Sequence, residues 1–261
     1  FILGIGITTL QVAANPLAAA LGPPESSHFR LTFAQAFNSL GVVLGVNFGS
    51  KIMLGEEVLK SGHAPITNEA DRILALQAVS HAFLLIAALL AGLMLFIWFS
   101  RKRIGDAAAA IEKPAGGSVL DALRSKWAIF GALAIGLYVG AEVSIGSIMI
   151  NFLNQPEIMN LPLESAGFYL ANIYWMGALI GRFVGSYLLT RIAAPKLLLV
   201  AASFASLLCL TVAFSGGPFA GYAALSVGLF NSIMFPTIFT ITLERAGVSQ
   251  ASTSGLLCVA I

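Results

Sequence analysis

The stretch Trp127–Leu153 reads WAIFGALAIGLYVGAEVSIGSIMINFL. It runs for 27 residues with a single charged side chain, Glu142, near its middle. A helix crosses a bilayer with about 20 predominantly apolar residues, so this stretch is long enough to span one. Five further runs are of the same kind: Leu31–Leu54, Ile73–Phe99, Ser165–Leu189, Leu197–Ser215 and Pro218–Leu243. Phe1–Leu21 and Ser254–Ile261 read as two more, cut by the ends of the chain, so the sequence is expected to be a fragment. In lipid each segment must pair its own backbone groups, and no alternating barrel pattern is present. The predicted fold is all-α, a polytopic transmembrane helical bundle.

Composition excludes most other classes. Of 261 residues, 58% are hydrophobic and 10% charged, and the mean hydropathy is +0.90. A soluble domain carries roughly 25% charged residues, so this chain could not cover a surface facing water. Its net charge of +2 does not suggest nucleic acid as a partner. Cys209 and Cys258 lie in apolar runs and read as small core residues. His28 and His63 fall in loops and His81 toward the outer end of its segment, none spaced with a second ligand, so no metal site is expected. Walker, His-Glu-x-x-His and Gly-x-Ser-x-Gly patterns are missing from the sequence. The reading is therefore a non-enzyme without a cofactor.

Charge in alternate loops orients the bundle. Gly22–Arg30, Ser100–Lys126, Thr190–Lys196 and Glu244–Thr253 together hold ten Lys/Arg and five Asp/Glu. Gly55–Arg72, Asn154–Glu164 and Gly216–Gly217 hold two and six. Basic residues stay on the cytoplasmic side, which places the first set inside. Residues 100–126 carry Arg101-Lys102-Arg103 and the breaker Lys113-Pro114-Ala115-Gly116-Gly117. They read as a cytoplasmic linker between residues 1–99 and 127–261, each part of one helical half. A faint repeat supports two halves: Gln11 stands five residues before Pro16, and Asn231 five before Pro236.

Outside the loops the chain carries Lys51, near the outer end of its segment, and two deeply placed charges, Glu142 and Arg182. A charge at that depth costs about 2.5–3.5 kcal/mol on insertion scales, and such residues face a partner or a pathway. Glu142 reads as a substrate ligand or proton carrier, with an interhelical hydrogen bond as the other reading. Arg182 reads as a clamp near the inner face. Amides add a pattern: Thr8, Gln11 and Asn15 share a helix face, as do Gln35 and Asn38, and Asn172 with Trp175. Asn38 also shares a face with Gly41, Gly45 and Gly49, a small-residue stripe that lets helices approach closely. Pro16 frees a carbonyl one turn earlier, so local irregularity there is expected to line a cavity. Singly, each amide reads as glue between helices. Together with Asn231, one carboxylate and an aromatic ring, they form a set suited to a sugar, whose hydroxyls need many donors and acceptors.

Leu10–Pro16 (LQVAANP), Ala20–Glu25 (ALGPPE), Arg30-Leu31 and Ala34–Gly41 (AQAFNSLG) resemble the fucose permease and glucose/galactose permease family, a sugar-transporting branch of the major facilitator superfamily. Tyr138–Ser144, Gly181-Arg182-Phe183 and Phe230–Thr237 (FNSIMFPT) also resemble it. The resemblance implies twelve helices in two halves, with this chain covering the fourth to the start of the eleventh. It implies a multi-pass protein of the bacterial inner membrane, monomeric in the lipid bilayer, with a sugar and a coupling cation, H+ or Na+, as partners. It further implies that Gln35 and Asn38 contact sugar. Gln11 stands where the fucose branch carries a glutamate linked to proton coupling, and Glu142 where that branch has an amide, so the carboxylate has moved between halves. The expected sugar contacts are Gln11, Asn15, Gln35, Asn38, Glu142, Asn172, Trp175 and Asn231. Pro16, Arg182 and Pro236 are expected to serve structure or gating. A membrane sugar sensor and an exporter of a non-sugar solute remain open as alternatives.

Overall fold

The computed structural model describes residues 2–54, 69–110 and 118–261. The breaker Lys113–Gly117, His63 and most of the loop Gly55–Arg72 lie outside them. Helices account for each apolar run read from the sequence: α1 (Ile2–Ala20), α2 (Ser27–Leu54), α3 (Glu69–Ala110), α5 (Lys126–Asn154), α8 (Ala194–Phe214) and α11 (Gln250–Val259), with the short α4 (Val119–Ala122) before α5. The run Ser165–Leu189 becomes α6 (Leu163–Tyr169), a widened π-helical turn (Leu170–Trp175) and α7 (Met176–Leu188). Pro218–Leu243 becomes α9 (Gly217–Asn231) and α10 (Met234–Arg245). No strand occurs among the described residues. Five described spans are long and apolar enough to cross a membrane: Ile2–Ala20, Val79–Asp106, Lys126–Asn154, Ala194–Phe214 and Gly217–Arg245.

Contacts divide the chain into two compact units, Phe1–Leu40 with Ile111–Ile261, and Gly41–Ala110. The larger unit buries polar groups within a mostly apolar interior and turns many large apolar side chains outward. Arg182 is 7% exposed and Asn231 5%, whereas Phe214 is 88% exposed. Water would reward the opposite arrangement, because burying polar groups is costly and exposing large apolar ones is unfavourable. A hydrocarbon surround removes that penalty, and the interior then collects the groups that need partners. Apolar packing forms four buried clusters among the described residues, two of them large. Leu31, Ile135, Tyr138, Phe239 and Leu257 form one buried cluster, and Met149, Leu153, Tyr174, Leu225 and Val227 another. Cys258 belongs to the first, but Cys209 is exposed on α8, contrary to the sequence reading of it as core.

Close helix approach occurs at Gly177, Gly181 and Gly185 on α7. A Cβ at Gly181 would fall on the Ser232 side chain and the Leu229 carbonyl, and one at Gly185 on Ile233. This is the small-every-four pattern, in a different helix from the one expected.

In the smaller unit a Cβ at Gly41 or Gly45 would meet no atom within 4 Å. Here α3 is the main element, 42 residues long. At 1.5 Å per residue it reaches about 63 Å, roughly twice the hydrocarbon thickness. Helix therefore continues past Phe99, through residues read from sequence as the start of the linker. Arg-Lys-Arg and the Ala107–Ala110 run are good helix formers, which accounts for the extension. The Arg101 guanidinium lies 4.1 Å over the Trp98 ring, a cation–π pair of the kind found where helices leave the membrane.

Candidate functional site

Two prolines organise the interior of the larger unit. A proline lacks the N–H that would bond the carbonyl four residues back, which orphans the Val12 carbonyl for Pro16 and the Ser232 carbonyl for Pro236. Neither is left unpaired. Ser254 Oγ donates to the Val12 carbonyl at 3.0 Å. Arg182 Nε donates to the Ser232 carbonyl at 3.0 Å. Both freed carbonyls are thus capped by side chains from other helices, and around Pro16 the helix stays regular, against the expected irregularity.

Arg182 does more than cap. Its Nη1 donates to the Gln35 carbonyl at 3.0 Å and to Ser39 Oγ at 2.5 Å. A guanidinium presents a planar fork of donors, and this one joins α7, the α9–α10 break and α2. The Gln35 it holds belongs to a run of amides. Gln35 Nε2 donates to Asn15 Oδ1 at 3.3 Å, and Asn38 Nδ2 donates to Gln35 Oε1 at 3.4 Å. Asn15 is buried, and its Nδ2 has no hydrogen-bond partner. A buried amide donor without a partner costs about 1–3 kcal/mol, so this position carries an unmet demand for an acceptor.

A second polar group lies across Arg182. Asn231, the last residue of α9, accepts a hydrogen bond on its carbonyl from Tyr138 Oη at 3.0 Å. Its Nδ2 donates to Tyr174 Oη at 3.4 Å. Glu142 follows Tyr138 by one turn of α5. Its half-buried carboxylate interacts with the Tyr138 hydroxyl and with the charge of Arg182. Glu142, Tyr138, Asn231 and Arg182 therefore form a connected set, and Arg182 ties it to the Asn15–Gln35–Asn38 run.

The remaining candidates stand apart from these contacts. Gln11 is half-buried on α1, one turn before Asn15. Asn172 sits in the π-helical turn and donates to the Phe168 carbonyl at 3.0 Å. Trp175 ends that turn, its ring edge-on to Tyr174 with centroids 5.1 Å apart. Widened turns of this kind occur often at functional positions. Sequence reasoning gave no site role to Tyr138, Tyr174, Ser39 and Ser254. The signals available were that Tyr138 and Ser39 lie in stretches that carry the resemblance, and that Tyr138 sits four residues before Glu142. Two cavities lie away from these groups. One, of about 180 Å³, is apolar and lies between α5, α8 and α9, lined by Ile145, Met149, Phe152 and Cys209 among others. The other, about 220 Å³, opens beside Ser27 and Glu244 at the basic end.

Comparison with known proteins bears on what such an interior does. The sequence model of the Major Facilitator Superfamily matches residues 1–259. The whole chain is 38% identical over 262 residues to a glucose/galactose transporter of Brucella abortus, covering 60% of that protein. It is 31% identical over 273 residues to the L-fucose-proton symporter of Escherichia coli, covering 61% of it. The crystal structure of FucP, a major facilitator superfamily transporter, in the outward conformation matches with a TM-score of 0.77 at 28% identity. That match covers 97% of this chain and 62% of FucP. The chain thus spans about three fifths of the length of these relatives. A helical bundle that turns large apolar side chains outward, buries Asn15, Arg182 and Asn231, and matches this sequence model over residues 1–259 belongs to the major facilitator superfamily.

Proposed function

We propose that the protein to which this chain belongs carries a hexose across the cytoplasmic membrane by alternating access, coupled to H+ or Na+. The observation that carries the reading is the amide run from two helices, Asn15, Gln35 and Asn38, ending in a buried Asn15 Nδ2 without a partner. A sugar hydroxyl is an acceptor of the right size for it. The names of the relatives, glucose/galactose transporter and L-fucose-proton symporter, support the same substrate class. In this reading residues 1–99 and 127–261 belong to two halves joined by 100–126, and the sugar lies between them. Gln11, Glu142, Asn172, Trp175 and Asn231 complete the proposed contact set, with Trp175 as a stacking face.

Glu142 is the proposed proton site. Gln11 cannot take up a proton, whereas Glu142 is an acid beside Tyr138 and within the electrostatic reach of Arg182. Coupling does work only if the ion binds the two conformations differently, and Arg182 supplies such a difference. Its grip on Gln35 and Ser39 exists only while the inner ends of the halves are together, so Arg182 and Pro236 serve gating as well as structure. The test is uptake of labelled glucose, galactose and fucose by the full-length protein in vesicles, at several pH values and with or without Na+. Hexose accumulation is expected, with its pH dependence removed in Glu142→Gln. Binding without accumulation would replace the transporter with a sensor.

A further inference from the structure

We propose that the far end of α3 binds the phosphate of an anionic phospholipid, held between Arg101 and Lys102 with Trp98 beneath them. The surface lies outside the proposed sugar contacts and requires neither transport nor a coupling ion. Its depth follows from helix length. Between Arg72 and Arg101, α3 carries no Asp, Glu, Lys or Arg. At 1.5 Å per residue that stretch reaches about 43 Å, close to a bilayer with its headgroup regions, about 40–45 Å. Arg101, Lys102 and Arg103 therefore stand at the level of the lipid phosphates, on the side that loop charge assigns to the cytoplasm.

The three cations have no acid to satisfy them. All are exposed, and among the described residues the one ion pair joins His28 to Glu244, on other helices. Asp106, the one acid on this stretch of α3, stands about a turn farther from the hydrocarbon and pairs with none of them. Three positive charges at phosphate depth attract an anion that is itself fixed at that depth. A lipid headgroup meets this condition, and a solute in the cytoplasm does not.

The helix arranges these groups as a cradle. Residues three and four apart share a face, so Trp98, Arg101, Lys102 and Gly105 form a diamond on one side of α3. Gly105 leaves its upper corner open, since a Cβ there would meet no atom within 4 Å. At the lower corner the Arg101 guanidinium lies 4.1 Å over the Trp98 ring. A ring holds a guanidinium through its π face, so the fork of N–H donors stays free to grip two phosphate oxygens. Lys102 adds a point charge on the other flank. Toward the hydrocarbon the same face continues through Met94, 64% exposed, to the small side chains of Ala91 and Ala87. That lane receives an acyl chain, which a free phosphate ester would lack.

The test uses the full-length protein in phosphatidylcholine nanodiscs and reads tryptophan emission. A minor fraction of the lipid is replaced by phosphatidylglycerol with brominated chains or, in parallel, by brominated phosphatidylcholine. The Trp98 signal is isolated as the difference from Trp98→Phe. Its quenching by phosphatidylglycerol is expected to exceed that by phosphatidylcholine severalfold, and to persist at high salt, which screens diffuse attraction. The preference is expected to vanish in the double variant Arg101→Gln, Lys102→Gln. It should remain in Lys196→Gln, which removes a basic residue from another helix. Gly105→Leu keeps every charge but fills the open corner; it is expected to weaken the preference severalfold, and it decides the question if the double variant does not fold. Equal quenching by the two lipids in the unaltered protein, or an equal loss in Lys196→Gln, overturns the site. Displacement of the lipid by soluble glycerol 3-phosphate overturns it too, by assigning the cradle to a free phosphate ester. Hexose uptake does not enter the readout, so the transport reading stands or falls separately.

Discussion

Pro16 and Pro236 pose the same problem in two places, and the molecule answers it differently. Around Pro16, α1 runs on without a break from Ile2 to Ala20. Around Pro236 the helical ladder stops at Asn231 and resumes at Met234. Each proline orphans one carbonyl, so the count of lost hydrogen bonds does not explain the difference. The partner does. Ser254 offers the Val12 carbonyl one neutral donor from a neighbouring segment. The Ser232 carbonyl receives a guanidinium, and the Asn231 carbonyl beside it receives the Tyr138 hydroxyl. With two outside donors at adjacent carbonyls, the chain there can open without leaving acceptors unpaired. A kink in a membrane helix is thus set by what a neighbour offers as much as by the proline itself.

Substitutions can break or sharpen this contrast. Arg182→Met should have the largest effect, since it strands the Ser232 carbonyl and removes the bonds to the Gln35 carbonyl and Ser39 at the same time. A loss of about 3 kcal/mol or more is expected, read as a fall in thermal stability of the full-length protein in detergent, with transport abolished. Pro236→Ala restores an N–H that can reach the Ser232 carbonyl. Added to Arg182→Met, it should recover part of the stability, and a simple sum of the two single effects would refute the assigned pairing. Tyr138→Phe removes one donor from the break and should cost about 1–2 kcal/mol. Ser254→Ala should cost least, about 1 kcal/mol. Equal losses for Ser254→Ala and Arg182→Met would erase the distinction between the two proline sites.

Part of the candidate site is legible in the sequence. Gln35 and Asn38 were placed on one face by their spacing of three, and they do bond to each other. Glu142 and Arg182 stood out because charge is rare at such depth, and they belong to one connected group. Asn15 was read on the same face as Gln11, yet its bond to Gln35 on the next helix had no sequence signal. Gly41, Gly45 and Gly49 have the right spacing for close packing, as do Gly177, Gly181 and Gly185. The second set meets the backbone and side chains of Leu229–Ile233. Spacing says which residues share a face, and is silent on what that face meets.

Hydropathy, a property of short stretches, was enough to determine that each long apolar run is helical, though not that α3 runs on from Phe99 to Ala110. A run of about 20 apolar residues has one stable form in lipid, a helix, whatever surrounds it. Partnership is another matter, because a hydrogen bond between helices depends on two segments far apart in the chain meeting within about 3 Å. That Arg182 would hold the carbonyl freed by Pro236, that Ser254 would hold the one freed by Pro16, and that His28 would meet Glu244 were decided only by tertiary packing.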